Sequence, residues 1–178
     1  YRDNTIKFTQ LYRITDGEYY EEIKEDLQNL LAVGIQIDSI TCDGHKSILK
    51  AVKAVCKQVY LQRCTVHIQR ECRTWLTMNP KSIAGLELLS IVHQIHTITT
   101  QSHDWIKQVL DWHLKYSSFI NEKSYSVATN RYWYKHKMVR KAFIHIRNAI
   151  PNLFTYLFNP RIPKTTNGLE SFFGHLKS

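Results

Sequence analysis

Ile35-Gln36-Ile37-Asp38-Ser39-Ile40-Thr41-Cys42, closed by Asp43-Gly44, is the stretch on which the fold turns. Apolar and polar residues mix in a β-branched run that stops at a turn-forming dipeptide, so it reads as a strand. Just upstream, residues 18–33 place Ile23, Leu27, Leu30 and Leu31 at helical spacing. Glu21, Glu22, Glu25 and Asp26 crowd that helix's N-terminal end, where its dipole favours them, and Gly34 is a natural stop. Downstream, Ile48, Val52 and Val55 mark one face of a short helix, and residues 58–62 (Gln-Val-Tyr-Leu-Gln) read as another strand. Residues 5–14 carry the same β-branched and aromatic mixture and predict a further strand, with Asp16-Gly17 as its turn. Residues 5–62 therefore alternate strand, helix, strand, helix, strand, which implies an α/β layered fold with parallel pairing.

Beyond Ile68 the period changes. Long helical patterns run to Phe158, with Leu86, Leu89, Val92 and Ile95 in one, Trp105, Val109 and Trp112 in another, and Val139, Phe143, Ile146 and Ile150 in a third. Pro80 and the polar stretch 121–130 divide them, and the whole segment is expected to be helical, basic and rich in Trp, Tyr and His. Asn159-Pro160-Arg161-Ile162-Pro163 is a stiff connector leading to Thr165-Thr166-Asn167-Gly168-Leu169-Glu170, the expected start of a last helix. This gives three segments: a first core part at 1–67, a helical insertion at 68–158, and a return to the core at 159–178.

Composition narrows the function. The chain has 178 residues, 43% of them hydrophobic and 12% aromatic, which excludes a disordered chain. No apolar run approaches the length of a membrane span, so no membrane partner is expected. Four cysteines are too few for a disulfide scaffold, which suits a reducing cytosol or nucleus. The net charge of +9 is unevenly spread, with −3 over residues 1–50, +10 over 51–150 and +2 over 151–178. A basic middle of that size points to a polyanion, most simply nucleic acid. The first residue is Tyr1 rather than Met, and the last helix is cut in mid-pattern at Ser178, so a piece of a longer protein is expected.

Asp43 heads the chemical candidates, because a carboxylate where a strand meets a glycine lies at the C-terminal edge of the sheet. Open α/β sheets bind ligands there, and Mg²⁺ takes such oxygen donors. A plain turn-forming Asp-Gly is the competing reading. Glu170 stands three residues after Asn167, which fits a capping-box variant and equally a carboxylate brought to the sheet edge. Cys64 and His67 form a Cys-x-x-His pair after the strand at 58–62, but a second zinc half-site is lacking, so a buried Cys and a hydrogen-bonded His are expected. His93, His96, His103, His113 and His145 are scattered as surface or core residues.

Three ordered motifs carry a resemblance. Ile40-Thr41-Cys42-Asp43-Gly44-His45, Leu61-Gln62-Arg63-Cys64-Thr65-Val66-His67-Ile68-Gln69-Arg70 and Ile162-Pro163-Lys164-Thr165-Thr166-Asn167-Gly168-Leu169-Glu170-Ser171-Phe172-Phe173 resemble the DDE transposases of insertion sequences. The nearest likeness is to the mutator-like group, marked by a Cys-x-x-His after the second catalytic Asp. Trp133-Tyr134-Lys135-His136, with Arg140 beyond, resembles a helical stretch of that group.

The resemblance implies a ribonuclease-H-like core interrupted by a large all-α insertion. It implies Asp43 and Glu170 as the second and third catalytic carboxylates and metal ligands, with Cys64 and His67 as the signature pair that braces the site. Two Mg²⁺ or Mn²⁺ ions would activate a water and then a DNA 3′-hydroxyl for in-line attack on phosphodiesters. The first catalytic Asp is expected upstream of Tyr1, leaving this piece inactive by itself. Arg63, Arg70, Lys135, His136, Arg140, Lys164 and Lys177 are the expected DNA-binding residues, with Trp133 stacking on an unpaired base. Double-stranded DNA at transposon ends and targets is the implied partner, bound by a homo-oligomer in the cytoplasm on the bacterial nucleoid, or in the nucleus of a eukaryote. The alternatives are a non-catalytic DNA-binding or regulatory protein derived from a transposase, a nuclease that only hydrolyses, and a helical interaction module.

Overall fold

Strand β1 (Ser39–Cys42) lies parallel to β2 (Tyr60–Arg63), with Ser39 opposite Tyr60 and Cys42 opposite Arg63. These strands, α1 (Tyr20–Ala32) and α2 (Lys46–Val55) form the alternating part of the chain in the computed structural model, which describes residues 1–169 and 171. α1 buries Leu27 and Leu30 and α2 buries Ala51 and Val52, and the partly buried Ile23, Ile37, Ile40, Ile48 and Leu61 pack against this core. Leu31 stays 40% exposed, so the buried face of α1 is narrower than its spacing suggests. Gly34, at φ +86°, ends α1 by turning into the left-handed region that only glycine enters cheaply. Ile35 N–H then donates back to the Leu30 carbonyl.

The strand expected at 5–14 does not form. A single antiparallel bridge joins Arg2 to Thr9, and Asp3 Oδ1 accepts the N–H groups of Thr5 and Ile6 in a local turn. β-branched and aromatic residues make a strand only where a neighbouring backbone takes up the ladder. Among the described residues the backbone along 5–14 meets only residues 1–3, with the Asp3 N–H donating to the Phe8 carbonyl at 2.8 Å and the Gln10 N–H to that of Tyr1 at 3.0 Å, and Ile6, Phe8, Tyr12 and Ile14 are exposed. The arm is held instead by charge, since the Arg13 guanidinium spans the buried Asp26 at 2.7 Å and Glu25 at 2.8 Å on α1. β1 is likewise shorter than the stretch 35–42, because only Ser39–Cys42 meets β2.

The chain divides into two units, one formed by Tyr1–Cys64 with Asn152–Ser178 and the other by Thr65–Pro151. The second contains α3 (Thr65–Leu76), α4 (Ile83–His93), a 3₁₀ turn at Ile95–Thr97, α5 (His103–Asn121), a hairpin of β3 (Lys123–Ser126) and β4 (Arg131–Tyr134), and most of α6 (Lys137–Leu153). Its core holds Ile68, Cys72, Leu88, Val92, Ile95, Trp105, Val109, Trp112 and Ile146. Buried indoles need partners for their N–H groups, and both are met: Trp105 donates to the Ile91 carbonyl and Trp112 to that of Ala84.

The hairpin corrects the expectation of an all-helical stretch over 68–158. It also overturns the helical reading of Trp133-Tyr134-Lys135-His136, for Trp133 and Tyr134 lie on β4 and Lys135 extends its ladder by donating to the Glu122 carbonyl. Three consecutive aromatics, Tyr132, Trp133 and Tyr134, favour a strand over a helix. Asn130 supplies the turn with φ +50°.

Candidate functional site

The C-terminal edge of β1–β2 is organised by three consecutive residues, Gln62, Arg63 and Cys64, each anchoring a different segment of the first unit. Gln62 is fully buried. Its amide nitrogen donates to the Leu153 carbonyl at 2.8 Å, and its oxygen accepts the Tyr156 N–H at 3.0 Å. Thr155 adds a hydroxyl bond to the Leu61 carbonyl at 2.7 Å. The segment returning after α6 is thereby fastened to β2.

Arg63 is only 4% exposed and points across to β1, where its Nε and Nη2 donate to the Asp43 carbonyl at 3.2 and 2.9 Å. A buried guanidinium needs such acceptors. Gly44 makes the approach possible: its φ is +89°, and a Cβ there would lie 1.9 Å from the Arg63 guanidinium. The Asp-Gly dipeptide is thus more than a turn, since its glycine is the space into which Arg63 fits. Arg63 was expected on DNA; burial and its bonds to Asp43 make it part of the turn's framework instead.

Asp43 itself is half-buried, and its Oδ1 accepts the His45 N–H at 2.9 Å. His45 in turn pairs with Glu18 at 2.9 Å, a contact across 27 residues that no local pattern announces. Burial pushes the neighbouring Cys42 thiol up to about 11.

Cys64 is completely buried and accepts two hydrogen bonds at its sulfur, from the Thr166 N–H and the Thr166 hydroxyl, both at 3.3 Å. Thr41 on β1 holds the same connector by donating its hydroxyl to the Pro163 carbonyl at 2.7 Å. The connector before the last helix is therefore pinned to both strands, and a helical turn opens at residues 167–169. Glu170, the expected third carboxylate, and Lys177, an expected DNA contact, lie outside the described residues.

The other expected site residues spread out. His67 is half-buried in the first turn of α3, Arg70 is exposed on that helix, and Lys164 is half-buried in the connector. Lys135 and His136 both pair with Glu122, and the His136 ring stacks on Phe119 with centroids 3.5 Å apart. Arg140 lies over the Tyr134 ring at 4.1 Å. Trp133 is half exposed. Sequence reasoning missed Gln62, Thr41, Thr166 and Glu18, whose partners are brought near only by the fold; a Gln inside a strand otherwise bound for burial was the single available hint.

The descriptions meet in a transposase. A family model described as the Transposase IS66 family matches residues 11–172. The chain belongs to that family, and with it comes a transposase-related function and the DDE nuclease or transferase kind of enzyme. The match supports neither the mutator-like group nor its Cys-x-x-His signature as the chain's own affiliation. Comparison with curated proteins and with solved structures finds no match. DDE transposases generally use divalent metals; among the described residues no group of three His, Cys, Asp or Glu side chains is gathered as metal ligands. Nor, among them, is any helix long and apolar enough to cross a membrane.

Proposed function

We propose that this chain is catalytic-domain sequence of a DDE transposase that cuts DNA at transposon ends and joins it to a target. In this reading the first unit is a ribonuclease-H-like core, interrupted by the basic helical unit between Asp43 and Glu170. The two carboxylates, with a further one, hold Mg²⁺ or Mn²⁺. Bound metal would supply an activated oxygen nucleophile and offset the charge developing on the phosphodiester.

The observation that carries the reading is the shared anchoring of both motifs at one sheet edge. Asp43 follows β1, and the connector leading to Glu170 is held by Thr41 from β1 and Cys64 from the end of β2. The chain's own contribution is then positional. Arg63 fixes the backbone of the Asp43 turn, the His45 N–H orients its carboxylate, and Cys64 with Thr41 sets where the last helix begins. Asp43 supplies the hard oxygen donor that Mg²⁺ prefers. The exposed Arg70, together with Lys135, His136, Arg140, Lys164 and Lys177, is read as drawing DNA phosphates to the chain. The full-length protein would act on DNA as a homo-oligomer.

The test is cleavage of transposon-end DNA by the full-length protein in Mg²⁺. Asp43→Ala and Glu170→Ala each abolish cleavage and leave DNA binding within about twofold, since they remove metal ligands rather than phosphate contacts. Retained cleavage in either variant would falsify the assignment.

A further inference from the structure

Asn167 alone among the asparagines precedes a glycine. With no Cβ beside it, the Gly168 nitrogen is uncrowded on its approach to the Asn167 side-chain amide carbon. Both residues are exposed, and a Cβ built on Gly168 would meet nothing within 4 Å. Among the described residues no hydrogen bond holds the Asn167 amide. Gly168 lies in the turn that opens at 167–169, where the first N–H groups of a helix have no carbonyl of their own helix to bond. The Leu169 N–H, not that of Gly168, reaches the Thr166 carbonyl at 2.9 Å. Such a first turn opens locally at little cost.

The Asp-Gly pairs, which could close the same ring, are built differently. The Asp43 carboxylate accepts the His45 N–H, the Gly44 N–H donates to the Cys42 sulfur, and Arg63 fills the space beside Gly44. In Asp16-Gly17 the Gly17 N–H donates to the Thr15 hydroxyl at 3.5 Å. An ionised carboxylate is also the poorer electrophile, because its negative charge opposes the incoming nitrogen.

We propose that Asn167-Gly168 is a site of self-modification that switches the protein off as it ages. The Gly168 nitrogen bonds to the Asn167 side-chain carbonyl carbon, and the amide nitrogen leaves as ammonia with the proton that Gly168 gives up. Water then opens the five-membered imide at either carbonyl. One opening leaves Asp at position 167. The other leaves isoaspartate, in which the main chain runs through the side-chain carbon and gains a methylene. Either product puts a new carboxylate one residue past Thr166, which bonds to Cys64, and three before Glu170. Isoaspartate also lengthens the path from that anchor to Glu170. The modification needs only water and the chain itself; its consequence, loss of DNA cleavage, rests on the reading of Glu170 above.

The experiment holds the full-length protein in warm, mildly alkaline buffer and follows its tryptic peptide 165–177 by mass spectrometry. Conversion appears as a gain of about one mass unit, split between separable Asp and isoaspartate forms. Asn167 is expected to convert at a rate within about threefold of the same peptide free in solution, since a first-turn N–H gives up no helical bond. Gly168→Ala, for which there is room, should slow conversion by about tenfold, because the methyl crowds the attacking nitrogen. A thermal melt of that variant keeps folding separate from reactivity. Cleavage of transposon-end DNA by the ageing wild type should fall in step with the isoaspartate formed, and cleavage by Gly168→Ala should fall correspondingly more slowly from its own starting rate. Shielding of Asn167 by more than about tenfold against the free peptide, or equal conversion in Gly168→Ala, overturns the proposal and leaves the transposase reading intact. Full cleavage after position 167 has converted overturns the switch. Fresh protein that converts at Asn167 yet cuts no transposon-end DNA overturns the switch together with the reading of Glu170.

Discussion

β1–β2 and β3–β4 are both two-stranded ladders of four-residue strands, and they spend their side chains in opposite ways. In the parallel pair the polar residues turn inward: Gln62, Arg63 and Cys64 are buried, and each is bonded to a distant backbone. In the antiparallel hairpin the large residues turn outward, with Tyr132 71% exposed, Trp133 50% and the tip residue Val127 85%. A parallel pair is covered by its crossover helix, so polar groups in it must be satisfied internally. A hairpin needs no such cover. The first ladder holds backbone segments in place, and the second leaves large side chains at the surface.

The sharpest way to break that contrast is thiol chemistry. Burial pushes Cys42, at the end of β1, to about 11 and Cys72, in the core of α3, to about 12. At pH 8 the thiolate fraction is then about one in a thousand for Cys42 and one in ten thousand for Cys72, so neither should alkylate in the folded chain. A Val127→Cys variant should label at the hairpin tip at the rate of a free thiol, as mass spectrometry would show. Equal labelling of Cys42 and the tip residue would erase the distinction.

Next in size is Gly44→Ala. The added Cβ meets both a left-handed φ and the Arg63 guanidinium, a cost of roughly 3 kcal/mol or more, read by chemical denaturation. Arg63→Ala combined with Gly44→Ala should recover part of that loss, because the collision is gone. If the double variant is no better than the sum of the two, the fit of Arg63 into the glycine's space is not what Gly44 serves.

A smaller effect is expected from Cys64→Ala, which removes the sulfur acceptor for Thr166 and should cost about 1–2 kcal/mol. Hydrogen exchange at the Thr166 amide should accelerate in that variant. An unchanged exchange rate would show that the connector is held without Cys64.

The smallest effect belongs to the base of the hairpin. Lys135 first, and then His136, hold the Glu122 carboxyl below its ordinary range. A carboxyl depressed in the folded state adds stability above its unfolded value and loses it as pH falls through the folded one. The link should therefore persist through the ordinary carboxylate range and open only at lower pH, with a modest effect because the pair is exposed. The Glu122 side-chain carbon shift in an NMR titration follows this directly, and a midpoint at or above the ordinary value would contradict it.

Much of this was legible in the residues. Hydrophobic period located α1, α2, the later helices and the two parallel strands, because burial on one face leaves its spacing in the chain. The strand at 5–14 and the all-helical middle were misread for one reason. Strand formation depends on a partner, and neither how little ladder 5–14 finds beyond the Arg2–Thr9 bridge among the described residues nor the pairing of Tyr125 with Tyr132 is written in the residues' own propensity.

For the candidate site, residue type and position were enough to single out Asp43, Cys64 and Glu170 as candidates, since a carboxylate before a glycine, a cysteine after a strand and a Glu three residues past an Asn are local marks. What those residues touch is another matter. That Arg63 is a buried brace rather than a phosphate contact, that Cys64 accepts from Thr166 102 positions away, and that Gln62 fastens the returning chain were decided only by the tertiary structure. The physical reason is reach: period and propensity act over a few residues, whereas hydrogen bonds at a sheet edge join whatever the folded chain brings within 3 Å.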